Sequence, residues 1–117
     1  MSLKYFTLEE FACKETGHNE IDPEFVQWLD KVREEAGIPF VITSGYRHPS
    51  HSEEVKKKAP GSHTRGRACD IKVAGSRERF LIIQAAVKNG CTRMGLGKTF
   101  IHIDLDDIAD KQVAWVY

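Results

Sequence analysis

The sequence carries no excess of either charge: 17 acidic and 17 basic residues cancel. Nucleic-acid-binding domains show a basic face or stripe, so neither DNA nor RNA is an expected partner. Long apolar runs are missing too. Nothing approaches the roughly 18 consecutive apolar residues of a membrane span, and no membrane insertion is expected. The opening residues Met1-Ser2-Leu3-Lys4-Tyr5-Phe6 have no apolar signal core, so the expectation is a chain made in the cytoplasm that needs another route outward. Cysteine is scarce. Cys13, Cys69 and Cys91 are odd in number and form no CxxC pair, which argues against a disulfide framework and predicts buried, reduced thiols. Repeats, low-complexity tracts and linkers are absent. What remains, 117 residues with 41% hydrophobic and 29% charged, is the composition of one soluble globular domain, residues 1–117.

Local signals divide the chain cleanly. Thr7 with Glu10 three residues later is a capping box that starts a short helix through Phe11 and Ala12. Asp22-Pro23 opens a longer helix with Phe25, Trp28, Leu29, Val32 and Ala36 on one face, ended by Gly37. Pro39 to Thr43 is short, apolar and β-branched, and predicts a buried strand. Ser52 is the expected cap of a brief helix running to Lys56, Lys57 and Lys58, before the Pro60-Gly61 breaker. Ser76 is the expected cap of a second long helix, with Phe80, Ile83, Ala86 and Val87 inward and Gly90 at its end. Strands are expected over Arg67 to Val73, Cys91 to Leu96, Thr99 to Leu105 and Val113 to Tyr117. Two substantial helices with four to five strands joined by short turns predict an α+β domain with a central, mainly antiparallel sheet.

Period-two alternation then separates the strand faces. In Arg67 to Val73 it puts Asp70 with Ala68 and Lys72, opposite Cys69, Ile71 and Val73; in the later strand it puts His102 with Phe100 and Asp104, opposite Ile101 and Ile103. His63 lies in a turn beside Gly61, Ser62 and Gly66, residues that let the loop fold back over Asp70. Two imidazoles and a carboxylate are a zinc-ligand set, and three protein ligands leave the fourth position to water, as in catalytic sites. Taken singly these residues mean less. A lone histidine is more often an ordinary surface or core residue, and Asp70 can equally pair with Arg67 or Lys72.

Three motifs in order, Ser44-Gly45-Tyr46-Arg47, Ser62-His63-x-x-Gly66-x-Ala68-x-Asp70 and Phe100-Ile101-His102-Ile103-Asp104, resemble the zinc D-Ala-D-Ala carboxypeptidase family of bacterial and phage cell-wall peptidases. The likeness is to its short single-domain branch and covers nearly the whole chain. It implies a fold shared with lysostaphin-type peptidases and the hedgehog signalling domain, one zinc per chain on His63, Asp70 and His102, and a peptidoglycan peptide as substrate. Arg47 is the expected positive group for an oxyanion or a substrate carboxylate, since a guanidinium is a planar, permanently charged fork. Pairing with Glu53 or Glu54 is its structural alternative. Tyr46 and Ser62 are candidates to bind substrate or orient ligands, or simply to pack.

The proton acceptor is the irregular part of the pattern. Well-known relatives carry a glutamate three residues before the last zinc histidine, or a histidine two before it, and here those positions are Thr99 and Phe100. Asp104 is the candidate on the His102 face. Two residues along a strand span about 6.6 Å, which leaves two readings for Asp104, the base or the group that orients the imidazole. His48 and His51 are the other titratable candidates. The expectation is a zinc metallopeptidase cutting next to D-amino acids, as carboxypeptidase or endopeptidase, of phage or prophage origin and delivered by a holin or in a virion. A zinc-stabilised, non-enzymatic tail component is the first alternative, and a metal-free binding module the second.

Overall fold

A computed structural model describes residues 3–57 and 61–117. Met1 and Ser2, and Lys58 and Pro60 of the lysine run and the breaker after it, lie outside the described residues. Five strands form one sheet in the order β1-β2-β4-β3-β5: β1 is Ile42–Ser44, β2 Ala68–Lys72, β3 Arg93–Leu96, β4 Phe100–Asp104 and β5 Val113–Val116. All pairings are antiparallel except β3 with β5, which is parallel. Helices α1, Pro23–Ala36, and α3, Ser76–Lys88, pack on one another and on one side of the sheet. The fold is α+β with a mainly antiparallel sheet, as the sequence pattern predicts.

Register explains why one side is core and the other is functional. Ile71 pairs with Ile101, Cys69 with Ile103, and Ile103 with Met94. These side chains are buried with Phe25, Val26, Leu29 and Val32 of α1 and Ile82, Ala85 and Ala86 of α3. Each large apolar side chain buried there contributes about 1.5–3 kcal/mol. One residue along, the same pairing lines up Asp70, His102, Gly95 and Trp115 across β2, β4, β3 and β5. Because side chains alternate between faces, that row points away from the helices. All three cysteines are free and buried.

Several local expectations shift. The first turn, Leu8–Phe11, is a 3-10 helix in which Glu10 accepts the Thr7 backbone N–H at 2.8 Å. Helix α2, Ser52–Val55, is capped by His51, whose Nδ1 accepts from Glu53 N–H at 3.0 Å; the Ser52 hydroxyl is taken by Glu15. Helix α3 is capped at Gly75, not Ser76, with Glu78 reaching back to the Gly75 N–H at 3.0 Å. Its buried stripe is Ile82, Ala85 and Ala86, while Phe80 and Val87 are exposed. Two adjacent alanines allow close approach to α1, and that rotates the larger side chains outward.

The chain after α2 turns through a second 3-10 segment, Ser62–Arg65, which carries His63. Gly66 ends it at φ 75°, a left-handed conformation that costs a side-chain-bearing residue about 1–2 kcal/mol. A Cβ there would also strike the Glu20 carbonyl. The Gly66 carbonyl accepts the Asp22 N–H at 2.7 Å, fastening the His63 turn to the start of α1.

Candidate metal centre

His63, Asp70 and His102 converge from the 3-10 turn, β2 and β4, and each offers a ligand atom within 4.8 Å of the other two. No other such group of three occurs among the described residues. The partners of each ring fix which nitrogen is available. His63 Nδ1 lies 2.7 Å from the Gly45 carbonyl, which can only accept, so Nδ1 carries the proton and Nε2 faces inward. His102 Nε2 lies 2.7 Å from Asp104 Oδ2, leaving Nδ1 free toward Asp70. The inward atoms sit 3.4 Å (His63 Nε2) and 3.0 Å (His102 Nδ1) from Asp70 Oδ1. Tetrahedral zinc with bonds of about 2.0–2.1 Å separates its ligand atoms by about 3.3 Å. The donors present therefore fit such an ion, with each imidazole held from behind by a carbonyl or a carboxylate.

Electrostatics agrees with that arrangement. Burial pushes the His63 imidazolium down, so its ring is neutral and its lone pair available. Burial also opposes charge on His102, but hydrogen bonds to Asp104 and Asp70 outweigh it and raise its pKa. Asp70 is likewise opposed by burial, yet the two imidazoles hold its carboxyl well below the usual range. The cluster thus keeps an anionic ligand beside a ring with high proton affinity, a place where metal and proton compete.

A cleft of about 550 Å³ opens over these ligands. Arg47 lines it, 16% exposed at the side chain, with Nη1 3.2 Å from Glu54, Nη2 3.6 Å from Asp70 Oδ2 and Nε donating to Ser44 at 3.1 Å. The pairing with Glu54, named above as the structural alternative, is present, and it holds the guanidinium at the cleft. Ser62 also lines the cleft, with its hydroxyl donated to Asp106 at 2.7 Å. Tyr46 does not: it is buried and its hydroxyl donates to Glu20 at 3.1 Å, the arrangement of the packing alternative.

Asp104 stands behind the centre and not on the cleft. It is fully buried, with Oδ2 on His102 and Oδ1 accepting from Arg93 Nε at 2.8 Å and from Asp106 N–H at 3.1 Å. With both oxygens occupied it is placed to orient His102, the second of the two roles read for it in the sequence. His48 stacks on His18 at 4.4 Å and His51 faces Glu15 at 3.3 Å, and neither lines the cleft. Among the described residues Glu53, at the start of α2, is the one carboxylate on the cleft besides Asp70.

Sequence reasoning missed Arg93, Asp106, Trp115 and Tyr117. Arg93, Trp115 and Tyr117 line the cleft. Asp106 is 3% exposed and accepts from Arg65 Nε at 3.0 Å as well as from Ser62, which ties the His63 turn to the end of β4. The alternation Arg93-x-Gly95-x-Gly97 was a readable signal, since glycine inside a strand marks close approach of other groups.

Burial alone would raise the Asp106 carboxyl, but Arg65 and Ser62 hold it well below the usual range. A carboxyl depressed in the folded state contributes stability above its unfolded pKa of about 3.9 and loses it as pH falls below that value. Urea midpoints measured from pH 5 down to pH 2.5 should therefore fall less steeply for Asp106→Asn than for the wild type. Parallel slopes would show that this clamp adds nothing.

The α+β sheet with a His–Asp–His cluster under an open cleft defines a metallopeptidase domain. Residues 4–104 match the Peptidase M15 family, and the chain belongs to that family, the zinc D-Ala-D-Ala carboxypeptidase type. The match ends at Asp104, the last residue of β4, so β5 lies beyond it. No curated protein sequence matches the chain. Among the described residues no helix is long and apolar enough to cross a membrane.

Proposed function

We propose that the protein is a zinc peptidase hydrolysing bonds next to D-amino acids in peptidoglycan stem peptides or cross-links, of phage or prophage derivation. The observation that carries this reading is the preset triangle of His63 Nε2, Asp70 Oδ1 and His102 Nδ1 beneath a cleft lined by Arg47. Zinc held by these atoms would supply Lewis acidity and would lower the pKa of a water there to about 7. The chain's own groups do the rest. Arg47 offers a fixed guanidinium to a substrate carboxylate or a developing oxyanion. Gly45 and Asp104 keep the two imidazoles in the tautomers that face the centre. Glu53 is the carboxylate left to accept a proton in the cleft.

The absence of an acid or base at Thr99 and Phe100 favours a second reading, a zinc-stabilised structural component without turnover. Incubating the zinc-loaded protein with purified peptidoglycan and identifying released peptides by mass spectrometry separates the two. Cleavage beside a D-residue, slowed in kcat by Glu53→Gln with zinc retained, is the expected result. Zinc without cleavage would establish the structural reading instead.

A further inference from the structure

The strand order places the cleft's two ends at opposite edges of the sheet. Arg47 follows β1 at one edge, Asp70 and His102 occupy the middle strands, and Trp115 stands on β5 at the other edge. The side chains lean toward the middle: Arg47 Nη2 is 3.6 Å from Asp70 Oδ2, Asp70 Oδ1 is 3.0 Å from His102 Nδ1, and the His102 and Trp115 ring centroids are 5.5 Å apart. A peptide lying across the strands therefore meets a cationic end, the metal ligands and then an aromatic end.

That aromatic end is built, not incidental. Gly95 is the register partner of both His102 and Trp115. A Cβ on Gly95 would fall within the space of the Trp115 indole and the Tyr117 ring, so the glycine is what lets those rings lie over β3. The indole centroid is then 5.5 Å from that of His102, and the Arg93 guanidinium sits 5.0 Å from the indole on the strand behind. Tyr117 packs on Phe100 at 4.9 Å and extends the surface, and the residue as a whole is exposed. An aromatic face held by its neighbours but left open to the cleft is apolar contact area awaiting an occupant.

We propose that Trp115 and Tyr117 are specificity-determining residues, forming the subsite for an aliphatic side chain on the acyl side of the scissile bond while the carboxylate side of the peptide lies toward Arg47. This assignment rests on the peptidase reading above. It places substrate selection on β5, the strand outside the residues that match the family.

Two synthetic tripeptides test it, acetyl-Leu-D-Ala-D-Ala and its glycine counterpart acetyl-Gly-D-Ala-D-Ala. The zinc-loaded wild type should favour the leucine peptide by about tenfold in KM, roughly one aromatic–aliphatic contact. Tyr117→Ala and Trp115→Ala should each lose most of that preference with zinc content unchanged, and Tyr117→Phe should keep it, since the ring and not the hydroxyl makes the contact. A second readout works without turnover. In a Trp28→Phe background Trp115 is the only tryptophan, and its fluorescence should change on titration with the leucine peptide. Cleavage with the same KM for both peptides in wild type and variants would overturn this inference and leave the peptidase reading standing. Binding of the leucine peptide reported by Trp115 without cleavage would overturn the peptidase reading and support the aromatic contact alone, with no side of a scissile bond assigned. Neither cleavage nor a fluorescence change would overturn both.

Discussion

Arg47→Ala is expected to lower kcat for peptidoglycan hydrolysis by about 10²–10³, the usual cost of removing a preorganised charge-stabilising group. The three metal ligands are untouched by the substitution, so zinc content should stay at the wild-type level. The argument rests on how the side chain is held. Glu54 is 4% exposed and takes Arg47 Nη1, Lys57 Nζ and the Gly61 N–H, while Ser44 takes Arg47 Nε. Burial opposes the charge on Glu54, yet these donors hold its carboxyl below the usual range, so it stays an anion that pins the guanidinium. Arg47→Lys keeps the charge but loses the fork and two of the tethers, and should recover only part of the rate. Zinc analysis with steady-state kinetics on the same preparations checks this. Full kcat in the alanine variant would remove Arg47 from the chemistry.

Asp104→Asn should weaken zinc binding by about 10- to 100-fold, the range found when the carboxylate behind a ligand histidine is changed. An amide cannot do what Asp104 does. The carboxylate accepts from three donors, His102 Nε2–H, Arg93 Nε–H and Asp106 N–H, whereas asparagine has one acceptor oxygen and an NH₂. If the NH₂ faces His102, the ring must carry its proton on Nδ1 and loses the lone pair aimed at the metal. If it faces Arg93, two donors oppose each other in a buried site, which costs about 1–3 kcal/mol. Competition titration against a chelator reads the affinity, and thermal unfolding of the metal-free protein reads the second penalty. Unchanged affinity with unchanged stability would contradict the assigned tautomer.

Much of this was legible before any coordinates. Period-two alternation placed Asp70 and His102 on the polar side of their strands, and the β2–β4 register of Asp70 with His102 is the physical form of that pattern. Caps and breakers located α1 closely, because Asp22, Pro23 and Gly37 act through local geometry. What escaped depended on pairing between distant segments. The parallel match of β5 to β3 brings Trp115 and Tyr117 to the cleft, and no local signal announces a parallel partner. Asp104 was read on the correct face with two roles left open, because alternation gives a side and not the identity of what already fills it. Arg93, its buried partner, sits beside it through the β3–β4 pairing. The facing of α3 was misjudged because adjacent Ala85 and Ala86 decide the packing, while larger Phe80 and Val87 dominate a hydrophobicity reading.

The central claim is that His63, Asp70 and His102 hold one catalytic zinc. Metal analysis of the purified protein beside His63→Ala, paired with release of soluble peptides from purified peptidoglycan, tests it most directly. The account predicts about one zinc per wild-type chain, no stoichiometric zinc in the variant, and peptide release by the wild type alone. A wild-type protein that takes up no stoichiometric metal when zinc is supplied, or a His63→Ala protein that retains both zinc and activity, would contradict it.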